Sequence, residues 1–327
     1  FRIIPYQMLR YIAKRLLLSL VTLWLLTTII FLMVKLLPGD PARTLSGNTA
    51  PEAAVDAMRV RLGLKESFLS QYWRVLKGLV TLDFGFSWKN QRTEVWSGLI
   101  APALFRSSKL AGLAMLITAP LAITAGLIAA RKRDTIVDRG IVMVGLATSS
   151  SPEFVTAALL AVAFGLNLHW LKPIASIPDG ASVITQVHYL LLPALAMAIV
   201  YFGYIARMMR AGAVRAFDSD YVRTATMKGL TDGQVMRKHV LRNALAPTIT
   251  VMSVQIGYLF GGIIAVETVT NYRGLATVIL NAATNKDLPV LQYSVIVIAT
   301  IYMASTLLAD VLIAWLNPRA RLDLDSA

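Results

Sequence analysis

Long apolar runs separated by short charged stretches dominate the chain. Each run approaches the roughly 20 mostly apolar residues that a helix needs to cross the hydrocarbon core of a bilayer. The first run lies at 16–34, between Lys14-Arg15 and Lys35. The later runs predict spans near 106–131, 139–168, 189–212, 244–267 and 288–312. We therefore expect an all-α, polytopic membrane protein with six transmembrane helices.

A long polar segment, 38–100, separates the first two spans. Apolar positions at helical spacing predict one short helix within Pro51–Leu64, closed near Gly63, and a second within Ser67–Leu79. We expect a structured subdomain there. It acts either as a lid that packs on the spans or as a docking surface, and the pattern fits both. The chain then divides into an N-terminal segment with the first span, this subdomain, a transmembrane core and a tail, at 1–37, 38–100, 101–316 and 317–327.

The composition of the chain is that of a protein surrounded by lipid. Apolar residues make up 56% of the 327 residues and charged residues 15%, whereas a soluble chain carries about 25% charge. The formal charge of +14 is explained by basic residues that cluster beside the apolar runs, so we expect a membrane and no nucleic acid as partner. The chain has no cysteine, which excludes disulfides and thiol chemistry.

The basic residues also predict the orientation. The connections that share a side with the N-terminus hold most of them: Arg2, Arg10, Lys14, Arg15, Arg131, Lys132, Arg133, Arg139, Arg207, Arg210, Arg215, Arg223, Lys228, Arg237, Lys238, Arg242, Arg319 and Arg321. The opposite connections after the third and fifth spans hold only Lys172, Arg273 and Lys286. Long loops such as 38–100 cross with little regard to charge, so the positive-inside rule predicts that both termini are cytoplasmic.

The cytoplasmic connection 213–243, between the fourth and fifth spans, carries the strongest local signals. Ser219 or Asp220 is suited to the N-cap of a helix, and Gly229, after Lys228, is suited to a left-handed turn at its end. These positions predict a helix of about two turns. Such a helix is too short to be stable alone in water, so packing must hold it.

A second helix start follows, because Thr231 and Gln234 have capping-box spacing. The short first helix would offer Tyr221, Val222 and Ala225 as an exposed face for a soluble partner. An ordinary interfacial loop is the alternative interpretation of the same pattern.

The residues of this connection resemble a known family. Asp220-Tyr221-Val222-Arg223-Thr224-Ala225, then Gly229-Leu230, then His239 to Ala244 are similar to the cytoplasmic loop of the dipeptide/oligopeptide/nickel permeases of binding-protein-dependent ABC importers. In the general Glu-Ala-Ala form of this loop the matching positions are Arg223, Thr224 and Ala225, so the glutamate and the first alanine are absent.

The resemblance extends along most of the chain. Further similar elements are Leu37 to Pro41, Leu82 to Ser87, Leu192 to Ala194, Asp310 and Asn317 to Arg319. One element departs from the family: Tyr272 to Ala276 stands where Pro-Gly-Leu-Gly is usual after the fifth span.

The resemblance implies a type I importer fold in a bacterial inner membrane, with this chain forming half of a pathway for peptides. It implies a second permease, two ATPase subunits or domains that bind ATP and Mg, and an extracytoplasmic solute-binding protein. The same scaffold serves nickel chelates, opines and oligosaccharides. Residues implied in ATPase coupling are Asp220, Tyr221, Arg223, Thr224, Ala225, Lys228, Gly229 and Leu230.

Other functions are less well supported. The chain has no Gly-x4-Gly-Lys-Ser/Thr phosphate loop, so we expect no ATP site, no cofactor and no enzyme activity of its own. An ion-coupled secondary transporter would carry acidic or histidine relays inside its spans, and a channel would need a symmetric selectivity element. Asp310 and Glu267 lie at the ends of spans, and Glu153 alone lies inside one, after Ser150 and Ser151. Glu153 and these serines either line the pathway or make a structural hydrogen bond in a kinked helix.

Overall fold

The computed structural model describes residues 6–36, 38–47, 49–178 and 180–316. Arg2, Leu37 and the predicted tail 317–327 lie outside these ranges. Within them the chain is helical, and β-pairing is limited to one isolated antiparallel bridge between Phe86 and Glu94. The all-α prediction is confirmed.

The helices follow one another along the whole described chain. Their bounds are α1 Tyr6–Leu36, α2 Pro41–Ser46, α3 Glu52–Arg61, α4 Phe68–Thr81, α5 Ala101–Arg131, α6 Ile136–Ser149, α7 Glu153–Leu160, α8 Val183–Phe217, α9 Asp220–Met227, α10 Asp232–Val235, α11 Leu241–Val269, α12 Leu275–Thr284 and α13 Leu288–Leu316. Three stretches have wider π-helical turns: Val95–Ile100, Ala161–Asn167 and Met236–Val240.

Five helical stretches are long and apolar enough to cross a membrane, and α6 with α7 makes a sixth only if the bent pair counts as one span. The two helices meet at an angle of 99°. Proline has no N–H to continue a helix and pushes the preceding residue out of helical geometry, so the chain breaks at Ser151-Pro152. The span predicted at 139–168, whose apolar run is interrupted by Pro152-Glu153, is therefore two helices.

The predicted fourth span, 189–212, is shorter than the helix that forms. α8 begins six residues earlier because Ser182 caps it, its hydroxyl accepting from the Thr185 N–H at 3.3 Å. It ends five residues later, at Phe217. This extension brings Arg215, which the charge pattern assigned to a connection, into the helix.

The described chain forms two compact units, of which the first comprises residues 6–17, Leu110–Asn271 and residues 302–316. Helix α8 is its centre, and small residues let the neighbouring helices approach. A Cβ on Gly203 would lie 1.9 Å from the carbonyl oxygen of Gly145 in α6, and one on Gly212 would lie 3.1 Å from the Ala244 backbone in α11. Small residues at such crossings are the usual means of close helix packing in membranes.

The second unit comprises Leu18–Lys109 and Tyr272–Ile301. Its core joins Phe31 of α1 to Phe84 and Tyr293, whose rings stack with centroids 4.2 Å apart. Helices α3 and α4 confirm the two short helices predicted within 38–100. The buried carboxylate of Asp287 accepts hydrogen bonds from the Ser87 hydroxyl and from the Trp88 N–H at 3.0 Å, which holds this segment against the start of α13.

Candidate functional site

The connection between α8 and α11 is a folded body in the first unit. Helix α9 follows α8 after two residues, and Gly229 then turns the chain with φ of +78°. Helix α10 begins with a reciprocal capping box between Thr231 and Gln234. The predicted two-turn helix, glycine turn and second helix start are all confirmed, because each depends on residues adjacent in sequence.

The N-cap of α9 differs in detail from the expectation. Ser219 occupies the cap position, but its hydroxyl donates to the carbonyl oxygen of Ala216 at 2.5 Å and accepts no hydrogen bond from the helix. Asp220 is the first helical residue, where its negative charge suits the positive end of the helix dipole. Thr224 and Thr226 donate back to carbonyl oxygens one turn earlier.

The predicted exposed face of α9 is partly wrong. Val222 and Ala225 are only 6% and 5% exposed. They pack with Ala213 and Ala216 of α8 and with Val235 of α10. A two-turn helix has no stability of its own, so its apolar side is used to attach it to α8, and that side cannot also be the docking face.

The surface that remains exposed is polar and includes one large apolar side chain. It consists of Asp220, Tyr221, Arg223, Thr224, Thr226, Met227 and Lys228. Met227 is 78% exposed, although unbranched apolar side chains at the end of a packed helix are usually covered. The Tyr221 ring lies 6.5 Å from that of His239, and Leu230 is half-buried behind the glycine turn. We call the seven exposed residues from Asp220 to Lys228 the α9 surface.

Ion pairs join this body to the end of α5. Arg131 lies 3.1 Å from Asp232, and Arg133 lies 3.1 Å from Asp218, with all four side chains exposed. Exposed pairs of this kind contribute little stability, about 0–1 kcal/mol each. Their main effect is to orient the connection relative to the end of α5, since they add little to its stability.

A buried ion pair joins α8 to α6, and the sequence did not predict it. Arg210 donates from Nε to Asp138 Oδ1 and from Nη2 to Oδ2, both at 2.5 Å. Asp138, near the start of α6, is 2% exposed and also accepts from the Asp134 N–H at 2.9 Å. The partners are 72 residues apart, so only an acid beside the apolar run of α6 signals this pair in the sequence.

The second predicted group lies at the break between α6 and α7. The hydroxyls of Ser150 and Ser151 donate to carbonyl oxygens of α6, Leu146 O at 2.9 Å and Ala147 O at 3.4 Å. Both therefore satisfy the end of a helix. The sequence left two interpretations of Glu153 open: it lines the pathway, or it makes a structural hydrogen bond.

Glu153, the first residue of α7, makes such a hydrogen bond. Its Oε1 accepts from the Tyr201 hydroxyl of α8 at 3.2 Å. A Cβ on Gly262 of α11 would lie 3.0 Å from both atoms, so this glycine leaves room for the pair. In the part of the chain that the structure describes, Glu153 forms no ion pair with a basic residue. Three helices of the first unit thus meet at a half-buried carboxylate.

Long apolar helices and a rigid helical connection between two of them define a multi-pass membrane protein. Residues 122–322 match the model of the binding-protein-dependent transport system inner membrane component, and residues 8–97 match that of the N-terminal region of such membrane components. The chain belongs to this family. It is the permease component of a bacterial ABC importer, placed by its family in the inner membrane, and its role is transport rather than catalysis.

Individual relatives agree along nearly the whole chain. The glutathione transport system permease protein GsiC of Escherichia coli (strain K12) is 34% identical over 314 residues, covering 96% of this chain and 99% of that protein. The protein of the same name from Shigella flexneri serotype 5b (strain 8401) has the same identity and coverage. Among solved structures, a chain of an amino acid ABC transporter with histidines has a TM-score of 0.47 and 19% identity, covering 67% of this chain and 92% of that chain.

Proposed function

We propose that this chain forms half of the translocation pathway of an ATP-driven importer of peptides, and that separate ATPase subunits move it through α9. The observation that carries the coupling role is the division of α9 into two sides. Val222 and Ala225 fasten it to α8, and the α9 surface stays exposed. A force applied to that surface reaches α8 through packed side chains, because a close-packed interior transmits strain.

The partners follow from this arrangement and from the family. The complex would contain a second, similar permease, two ATPase subunits that bind ATP and Mg, and an extracytoplasmic solute-binding protein. The charge distribution supports cytoplasmic termini and places 213–243 on the side of the ATPases. The 38–100 segment then faces outward, where it meets the binding protein or the second permease.

The solute is proposed to be peptide-like. Support comes from the Asp220 to Ala225 and Gly229-Leu230 pattern, which is similar to peptide-type permeases, and from relatives named as glutathione permeases. Nickel chelates, opines and oligosaccharides are the alternative solutes of the same machinery. Within the pathway, Glu153 with Ser150 and Ser151 would line the passage at the broken span.

The coupling role is tested by placing a charge on the α9 surface. We expect Met227→Asp to abolish ATP-dependent uptake of a labelled dipeptide in reconstituted vesicles and to reduce recovery of the ATPase subunits in copurification. Lys132→Asp, at an exposed position in the turn between α5 and α6, is the matched control and should transport normally. Normal uptake by the Met227 variant in an assembled complex would overturn the coupling role.

A second measurement separates ATP-driven import from an ion-coupled secondary transporter. Uptake into vesicles loaded with ATP should persist when a protonophore collapses the proton gradient. Loss of uptake with ATP maintained would instead support the secondary transporter.

A further inference from the structure

The second unit contains a cavity of about 590 Å³. This volume is in the range of roughly 300–1,000 Å³ typical of small-ligand pockets. Its walls come from the ends of α1 and α3, from α4, from the 83–91 segment and from the start of α13. Aromatic surface is supplied by Phe84, Phe86, Trp88 and Tyr293.

Most charged groups in the wall have partners there. Arg74 pairs with Glu66, and Lys35 donates to the amide oxygen of Gln71. Two other charged residues of the wall have no ion pair among the described residues. Arg61 forms no hydrogen bond or ion pair with any residue that the structure describes, and Asp83 makes only one hydrogen bond there, accepting from the Gly85 N–H at 3.1 Å.

A buried polar group at the same wall also lacks a partner. Gln292 is 5% exposed, and its Nε2 has no hydrogen-bond partner among the described residues. Buried donors are nearly always satisfied, but this nitrogen has almost no accessible surface and therefore does not face the open cavity. The wall thus offers a guanidinium and a carboxylate, from Arg61 and Asp83, beside an aromatic surface.

The wall is held in place independently of any ligand. Asp287 binds Ser87 and Trp88, and the Phe84 ring stacks on Tyr293. Gly85 adopts φ of +68°, which lets the segment turn between these two anchors. A cavity fixed in this way does not have to order its own walls when it binds, which lowers the entropy lost on binding.

We propose that this cavity binds zwitterionic short peptides, with Arg61 receiving the terminal carboxylate and Asp83 the terminal ammonium group. A guanidinium matches a carboxylate in geometry and charge, and an unpaired carboxylate is the natural acceptor for an ammonium group. The choice of peptide as ligand rests on the proposed function. The site would make the permease itself a solute-binding component.

Isothermal titration of the full chain in lipid nanodiscs, without the binding protein, tests the site. The probes are trialanine, its N-acetylated form and its C-amidated form. We expect wild type to bind trialanine saturably and to lose about tenfold or more in affinity when either terminal charge is blocked, as for hydrogen bonds to charged groups.

Substitutions assign the two ends of the peptide. Arg61→Ala should weaken binding of trialanine about tenfold and leave the amidated form nearly unaffected. Asp83→Asn keeps an oxygen that can accept from the Gly85 N–H. This variant should bind trialanine more weakly than wild type does, and its affinity for the acetylated form should be unchanged. Lys77→Ala and Arg92→Ala change exposed cations of the same segment outside the cavity and should leave every affinity unchanged.

Absence of saturable binding, equal losses in the control variants, or equal affinity for blocked and free peptides would each overturn the site. Parallel uptake assays distinguish this failure from that of the proposed function. ATP-dependent peptide uptake without binding in the cavity refutes only the site. Binding in the cavity without ATP-dependent uptake refutes only the proposed function.

Discussion

The ion pair between Asp138 and Arg210 allows a quantitative test of how α6 and α8 are held together. Arg210→Met removes the guanidinium and keeps most of the side-chain volume. The carboxylate of Asp138 then remains buried, with only the Asp134 N–H as a donor in the described part of the chain. A buried charge without its counterion is strongly unfavourable.

The expected magnitude follows from the burial of the two partners. Breaking a buried pair on one side destabilises a protein by about 3–5 kcal/mol. The Arg210 side chain is 28% exposed, and Asp138 keeps its backbone hydrogen bond, so we expect the lower end of the range, about 3 kcal/mol. Replacing both residues, as Asp138→Leu with Arg210→Met, should be nearly neutral because no buried charge is left.

Chemical unfolding in detergent micelles, followed by circular dichroism, measures these free energies. Arg131→Met is the matched control. Arg131 lies 3.1 Å from its partner Asp232 and both side chains are exposed, so the free energy of unfolding should change by less than about 1 kcal/mol. Equal effects of the two Arg→Met changes, or a double variant as unstable as the sum of its single variants, would refute the reasoning.

Two further predictions concern packing and pH. Gly203→Ala puts a Cβ 1.9 Å from the Gly145 carbonyl oxygen, so it should destabilise the chain by about 1–3 kcal/mol or more in the same assay. Gly140→Ala is the control and should be neutral or stabilising, because a Cβ there meets nothing within 4 Å. Equal effects of the two substitutions would argue against the close crossing of α6 and α8. Burial raises the pKa of Asp40, but hydrogen bonds from Arg59 and the Ala42 N–H outweigh it and hold that pKa below its usual value. A depressed pKa stabilises the fold fully above about pH 4 and progressively less as pH falls through the folded-state value. The hydrogen-exchange protection factors of 40–61, which are corrected for the intrinsic pH dependence of exchange, should therefore fall at acid pH in wild type and depend less on pH in Asp40→Asn. An unchanged pH profile in that variant would contradict the assignment.

Features that depend on neighbouring residues were predictable from the sequence. The apolar runs indicated membrane helices because hydropathy sums along one helix. The turn at Gly229 and the capping box at Thr231 and Gln234 followed from local backbone chemistry. The residue pattern from Asp220 to Leu230 was enough to indicate the family.

Only the tertiary structure determined which side of each helix packs against its neighbours and which side stays exposed. Val222 and Ala225 looked available for a partner, but α9 gains stability only by packing them on α8. In the sequence Arg210 was only one of several cations near the cytoplasmic end of the fourth span, and its partner became evident only because α6 brings Asp138 to it. Arg61, Asp83 and Gln292 share one cavity although they lie far apart in the chain. Such contacts depend on how helices cross, and hydropathy and capping signals reach only a turn or two along the chain.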